Sequence, residues 1–380
     1  MSEIKVLITG DFCPVHRLEK IDASFVDSIL GGFLPTIRSS DLAITNLECP
    51  ITPSKKGIGK TGPNLKGDEQ AVDFLSHAGF SLCTLANNHI LDYGEQGLRD
   101  TFKVLKNKEI SNVGAGENKK EAAIPYIFEK EGLKIGILNV AENEWSTTHN
   151  DQPGANPIDP VHVYRSITSL KSQVDHTILI THGGHEMYPL PSPRMVSWFR
   201  GFIDMGADAV INHHTHCISG HEEYKGKPIF YSLGNFLFDN PNERNSIWNQ
   251  GMAVQLTISK KKLNFSRLYF EQCNDEANLK LLDLNGHSAL YQSIQKINNT
   301  IAQPDQLQTA FEEYVTKKKN LYNAYLEPYS NKYLIALRNR GLFPSFWRRR
   351  KKLLLENITR CEAHRDVLLQ LLQSENSHTP

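Results

Sequence analysis

With 380 residues and 42 basic against 42 acidic side chains, the chain has no net formal charge, which excludes a protein-wide field for nucleic acid or for an anionic membrane. Its 39% hydrophobic and 22% charged content is that of an ordinary soluble protein, long enough for one large α/β domain plus a smaller appendage. No apolar run approaches the ~20 residues that cross a bilayer, the opening MSEIKVLITGD has no basic-then-apolar leader, and six scattered cysteines form no disulfide framework, so the expected compartment is cytoplasmic.

In chain order, Ile4 to Thr9 predicts a short buried strand closed by Gly10-Asp11. A helical pattern runs through Phe25, Ile29, Phe33 and Ile37, and Asp41 to Thr45 predicts the next strand, which runs out into Asn46-Leu47-Glu48. The Gly-, Lys- and Pro-rich stretch 54–66 reads as an exposed loop over that edge. Ala71 to His77 predicts a helix and Phe80 to Leu85 a strand ending in Ala86-Asn87-Asn88-His89. Hairpins are predicted across Lys130-Glu131-Gly132 and across Lys260-Lys261-Lys262. Such βα units interleaved with hairpins imply two mixed sheets covered by helices. From about Leu284 helical patterns take over, clearest at 321–337 and 353–372. We therefore expect a site-bearing domain over 1–275 and a helical C-terminal region over 276–380.

The stretch from Thr181 to Asp239 is the most informative. An apolar strand leads into His182, Met195, Trp198, Phe199, Phe202 and Ile203 follow at helical spacing, and a second apolar run leads into His213-His214-Thr215-His216. Loops leaving the carboxyl ends of parallel strands gather at one edge, where ligands bind. Alternate residues of an extended segment share a face, so His214 and His216 are expected to point together toward a metal ion. His185 and His221 read as solvated loop histidines.

Collected, the strand-end residues are Asp11, Glu48, Asn88, His89, His182, His214 and His216. Carboxylates with imidazoles suit Mn²⁺, Fe²⁺ or Zn²⁺ better than Ca²⁺ or Mg²⁺, and one or two such ions would polarise a phosphoryl oxygen.

Here the sequence resembles the CapA family, linked to poly-gamma-glutamate capsule synthesis and built on the calcineurin-like metallophosphatase fold. The matching pieces are Gly10-Asp11, Thr45-Asn-Leu-Glu48, Ala86-Asn-Asn-His89 with Asp92-Tyr-Gly94, His182-Gly-Gly-His-Glu186, Gly206-Ala-Asp208, His213-His-Thr-His216 and Tyr231-Ser-Leu-Gly-Asn-Phe236. They run in the family's order over about residues 4–270. The resemblance implies a four-layered α/β sandwich. It also implies that Asp11, Glu48 and His216 hold one metal, and that Glu48, Asn88, His182 and His214 hold a second. His89 would then assist the leaving group. His213 replaces the Gly of a metallophosphatase Gly-His-x-His motif, as in the CapA family.

Two departures stand out. Cys13 occupies the place of a metallophosphatase histidine, as a thiolate ligand or an inert buried thiol, and Glu48 replaces a shorter bridging Asp. The first metal is therefore expected to be the weaker one. Glu186 and Arg194 are candidate substrate-binding residues, with Arg194 suited to gripping a phosphate or carboxylate. Asn235 and Asp239 are candidates to orient a ligand histidine. The basic run 347–352, Trp-Arg-Arg-Arg-Lys-Lys, is a solvated helix start or a peripheral membrane contact. The reading that follows is a metal-dependent hydrolase of phosphoesters, or of a related anionic intermediate of cell-surface polymer synthesis. Its partners would be an anionic small molecule or polymer and the polymer-synthesis machinery, with no nucleic acid. The alternatives are a gamma-glutamyl amide hydrolase and a non-catalytic accessory that binds polymer or a synthase.

Overall fold

Ile4, Val6 and Ile8 belong to one buried cluster and Leu7 to another, the two-residue alternation of a strand with both faces covered. The structure, a computed structural model, describes residues 3–148, 151–283, 288–326, 333–334, 337, 340–342 and 348–376. Ile4–Cys13 lies in an eight-stranded mixed sheet whose order is Leu279–Leu282, Lys262–Gln272, Gln250–Ser259, Ile4–Cys13, Leu42–Leu47, Leu82–Thr84 and Ser111–Val113. Asn235–Phe238 also pairs in parallel with Ile4–Cys13. The second, six-stranded sheet runs His221–Tyr224, Lys227–Phe230, Ala209–His213, His176–His182, Leu133–Ala141 and Tyr126–Lys130.

The two sheets face each other across a dry core. Ile4, Ile8, Ile44 and Leu82 of the first meet Ile135, Ile178, Ile180 and Ile211 of the second. On the outer face of the first sheet, Leu7, Ala43 and Cys83 pack against Val72, Phe74 and Leu75 of the helix Gln70–Ala78. On the outer face of the second, Leu138, Leu179 and Val210 pack against Ile167 of Pro160–Lys171 and Phe199 and Phe202 of Pro193–Met205. Helix, sheet, sheet, helix is the four-layered sandwich expected from the sequence.

Several details differ from expectation. The pattern from Phe25 to Ile37 forms not one helix but short α and 3₁₀ turns broken at Gly31, whose φ is +46°. The first sheet takes in Leu279–Leu282, paired antiparallel with Lys262–Gln272, beyond residue 275. The C-terminal helices are Ala289–Ile301, Pro304–Leu326, Arg349–Arg360 and Glu362–Asn376. Part of the helix expected over 321–337 lies outside the described residues, as does Trp347. All six cysteines are free and buried. Among the described residues no helix is long and apolar enough to cross a membrane.

Candidate metal centre

Each expected ligand reaches the same edge by its own strand. Asp11 lies in Ile4–Cys13 between two register irregularities, one before it against Leu42–Leu47 and one after it against Asn235–Phe238, the kind of local kink that re-aims a side chain. Gly10 permits the close approach there, since a Cβ on it would stand 1.9 Å from the carbonyl oxygen of Gly234. Glu48 follows Leu42–Leu47 directly, with its backbone N–H donating to Phe12 O at 2.9 Å. Asn88 and His89 occupy the turn after Leu82–Thr84, and His182 ends His176–His182. His213 pairs with His182 across the sheet and ends Ala209–His213.

His214 and His216 converge for a different reason from the one expected. The strand stops at His213, and both residues have positive φ, +93° and +55°. Non-glycine residues hold such angles only where surroundings over-determine them, commonly at functional sites. The tight turn sends the two imidazoles to two different groups, with ring centroids 6.0 Å apart, rather than onto one ion.

Those groups are Glu48, His182 and His214, and Asp11, Glu48 and His216, with the donor atoms of each within 4.8 Å of one another and every residue buried. Glu48 Oε1 lies 3.5 Å from His182 Nε2 and 3.7 Å from His216 Nε2. His182 Nε2 is also 3.0 Å from Asn88 Oδ1 and 3.2 Å from His214 Nδ1. Around the ligands, Asn46 Nδ2 donates to Asp11 Oδ1 at 2.7 Å, and His216 Nδ1 lies 2.9 Å from Asn235 Oδ1. Asn235 thus takes the orienting place foreseen for it. Asp239 does not: it pairs with Arg17 at 2.7 Å and with Arg244. His213 is buried with Nε2 2.9 Å from Thr9 O, pointing away from both groups.

These residues fit a divalent cation. Both carboxylate oxygens of Glu48 are buried without a hydrogen-bond donor. Burial, together with nearby Asp11, Glu186 and Cys49, pushes its carboxyl well above the usual range. Burial and the neighbouring imidazoles hold His182 well below its ordinary value, leaving it neutral as a ligand must be. Held as a carboxylate, Glu48 would be costly among neutral imidazoles unless a cation compensated it. Cys13 belongs to neither group; burial, Cys49 and Glu48 keep its thiol protonated. The group holding Asp11 thus has one protein donor fewer than the group flanked by Asn88.

Beside the ligands lies a cavity of about 360 Å³. Asn88, His89, Glu186 and His214 line it from the strand-end loops, Lys60 to Pro63 and Trp145 from two further loops, and Tyr314, Lys318, Tyr322, Ile358 and His364 from the C-terminal helices, the side farthest along the chain. His89 Nδ1 is 2.6 Å from Asp92 Oδ2, and Lys60 pairs with Asp92 and approaches His89 Nδ1 at 3.1 Å. The loop 54–66 is thus fastened at its centre through a buried lysine, not wholly solvated. Sequence reasoning missed Asn46, the Lys60–Asp92 pair and every residue on the far side; the Thr-Asn-Leu-Glu motif was the available signal for Asn46.

Arg194 requires a correction. It does not line this cavity. Its guanidinium lies 2.5 Å from Glu142 and 2.8 Å from Asp366, which occupies the fork expected to hold substrate. His185 requires another: it is buried under the C-terminal helices, with Nε2 2.9 Å from Ala363 O. His221 is half-buried and pairs with Arg267.

Two facing mixed sheets flanked by helices, with carboxylates and imidazoles collected at their strand ends, define a four-layered α/β protein with a candidate metal site. Residues 5–240 match the family described as Bacterial capsule synthesis protein PGA_cap, and the chain belongs to that family. It is 32% identical over 248 residues to the Capsule biosynthesis protein CapA of Bacillus anthracis, covering 63% of this chain and 60% of that one. It is 32% identical over 236 residues to the PGA biosynthesis protein CapA of Bacillus subtilis (strain 168), covering 60% and 62%. The match therefore spans less than two thirds of those relatives. Among solved structures it is similar to a putative 5'-nucleotidase from Staphylococcus aureus in complex with alpha-ketoglutarate, at 15% identity, 79% coverage of this chain, 58% of that chain and a TM-score of 0.46.

Proposed function

We propose that the chain is a metal-dependent hydrolase of phosphoester type. Its substrate would be an anionic intermediate of poly-gamma-glutamate, capsule or other cell-surface polymer synthesis. The observation that carries this reading is Glu48, buried and donor-free where two three-residue ligand groups meet. Membership of a capsule synthesis family supports the pathway, and the cavity beside the ligands supports a substrate of small-molecule size or the end of a polymer.

Asp11, Glu48 and His216 would hold one divalent ion, and Glu48, Asn88, His182 and His214 the other, of Mn, Fe or Zn. Bound there, such ions supply Lewis-acid polarisation of a phosphoryl oxygen and an activated water. The chain's own residues do the rest. Asn46 and Asn235 fix Asp11 and His216 in orientation. With Nδ1 committed to Asp92, His89 keeps Nε2 to pass a proton to a leaving oxygen. Glu186 also lines the cavity, and its carboxylate would keep an anionic group away from that part of it.

The test is turnover of an aryl phosphodiester and an aryl phosphomonoester by Mn²⁺-loaded protein, with a gamma-glutamyl amide run in parallel. Phosphoester cleavage supports the reading and amide cleavage alone replaces it with an amidase. No turnover of either at full metal loading favours a binding accessory.

A further inference from the structure

The far side of the cavity is built by residues beyond 240, where the family match stops. Tyr314, Lys318 and Tyr322 come from the helix Pro304–Leu326, and His364 comes from Glu362–Asn376. These helices share an apolar cluster of Phe311, Val315, Tyr322, Val367 and Leu371, so the wall they present is a packed surface.

The two lysines facing the cavity differ. Lys60 is buried and already neutralised by Asp92. Lys318 is half-buried, with its ammonium 5.5 Å from the centroid of the Tyr314 ring, and among the described residues it has no carboxylate partner. An ammonium held over an aromatic face without a counter-ion, in a partly enclosed cavity, attracts an anionic ligand more strongly than a solvated lysine does. Close by on the same wall, Tyr322 Oη lies 2.7 Å from His364 Nδ1, a phenol and an imidazole with hydrogen-bonding capacity at the cavity surface.

We propose that Lys318, with the Tyr322–His364 pair, forms a second anion subsite on the C-terminal helices, in the cavity that Asn88 and His214 also line. It takes a carboxylate or phosphate carried on the same substrate as the reacting group. The substrate class is then a molecule with two separated anionic groups, and the C-terminal helices determine specificity for it. This rests on the metal-centre reading for the first anionic group.

The test is calorimetric binding to the Mn²⁺-loaded full chain. The probes are phenylphosphonate, 4-carboxyphenylphosphonate, its longer homologue 4-(2-carboxyethyl)phenylphosphonate, 1,4-phenylenediphosphonate, and benzoate alone. At least one two-anion probe should bind about tenfold or more tighter than phenylphosphonate, the scale of one charged hydrogen bond, and the better of the carboxylate and phosphonate arms identifies the group. Lys318→Gln and Lys318→Met should each abolish that preference while leaving phenylphosphonate affinity unchanged, and Tyr322→Phe should reduce it. A wild type that binds every two-anion probe no tighter than phenylphosphonate overturns the subsite, as does a preference that survives both Lys318 variants. Protein that fails to bind phenylphosphonate, yet loses benzoate binding on Lys318→Gln, keeps the subsite and discards the metal-centre reading.

Discussion

His185 Nε2 stands 2.9 Å from the carbonyl oxygen of Ala363, so the loop that follows the metal-ligand candidate His182 is tied to the last helix of the chain. The same helix start receives two more links, from Asn143 to Glu362 and from Arg194 to Asp366. The C-terminal helices are thereby fastened to the loops that carry the site.

That tie is sensitive to pH. Burial lowers the His185 pKa to about 4; Glu142 and the Ala363 carbonyl oppose the shift, and Arg194 and His364 add to it. Above about pH 6.5 the imidazole is neutral whether the helices are docked or not. As pH falls from there toward 4, the opened state takes the proton first, and docking weakens by an amount on the order of 3 kcal/mol at most. Asp366 and Glu362 at the same contact are raised by burial and pull the other way, so the His185 share is read by difference: between pH 8 and pH 5, proteolytic release of the C-terminal helices should accelerate more in wild type than in a variant that lacks this imidazole. His185→Gln, which stays neutral, should flatten that dependence, and an unchanged pH profile in the variant would contradict the assignment.

Arg194 sits between two carboxylates. Arg194→Met leaves Glu142 and Asp366 facing each other without a cation, so it should cost about 3–5 kcal/mol at pH 7 in urea unfolding. Burial raises Asp366 to about 6, even against Arg194. In the variant both acids should protonate more readily, so the deficit should shrink as the pH is lowered toward 5. A loss that stays constant between pH 5 and 8 would show that the ion pairs are not its source.

In the proposed hydrolase, His89 would act on the leaving group without holding the ligand cluster together. His89→Ala should slow hydrolysis by ~10²–10⁴-fold at unchanged metal content. Asp92→Asn should weaken proton delivery and also loosen the 54–66 loop, because Asp92 accepts from Leu65 N at 2.7 Å and pairs with Lys60. Metal lost along with activity in His89→Ala would move that residue into the ligand set.

The sandwich, and the gathering of Asp11, Glu48, His182, His214 and His216 at one edge, were legible because each depends on local signals: short apolar runs ending in Asp, Asn, His or Glu, in a fixed order. The far wall was not, because Tyr314, Lys318, Tyr322 and His364 meet the site only through long-range packing, and their own sequence neighbourhoods read as plain amphipathic helix. Arg194 failed for the same reason. A sequence exposes the charge of an arginine but not Asp366, 172 positions away, that satisfies it. His214 and His216 were expected to share a face of an extended segment and instead follow a turn with positive φ, since an extended His-x-His and a left-handed turn look alike in one dimension.

In the proposed centre, Glu48 joins two metal positions of unequal strength. Elemental analysis of protein loaded with Mn²⁺ and dialysed against chelator tests it most directly. Wild type should retain about one ion per chain, held by the group with His182, His214 and Asn88, with a second recovered only in excess metal. Cys13→His should strengthen the second. Glu48→Gln, still folded by circular dichroism, should lose both. A folded Glu48→Gln protein that keeps the wild-type metal content would contradict the account.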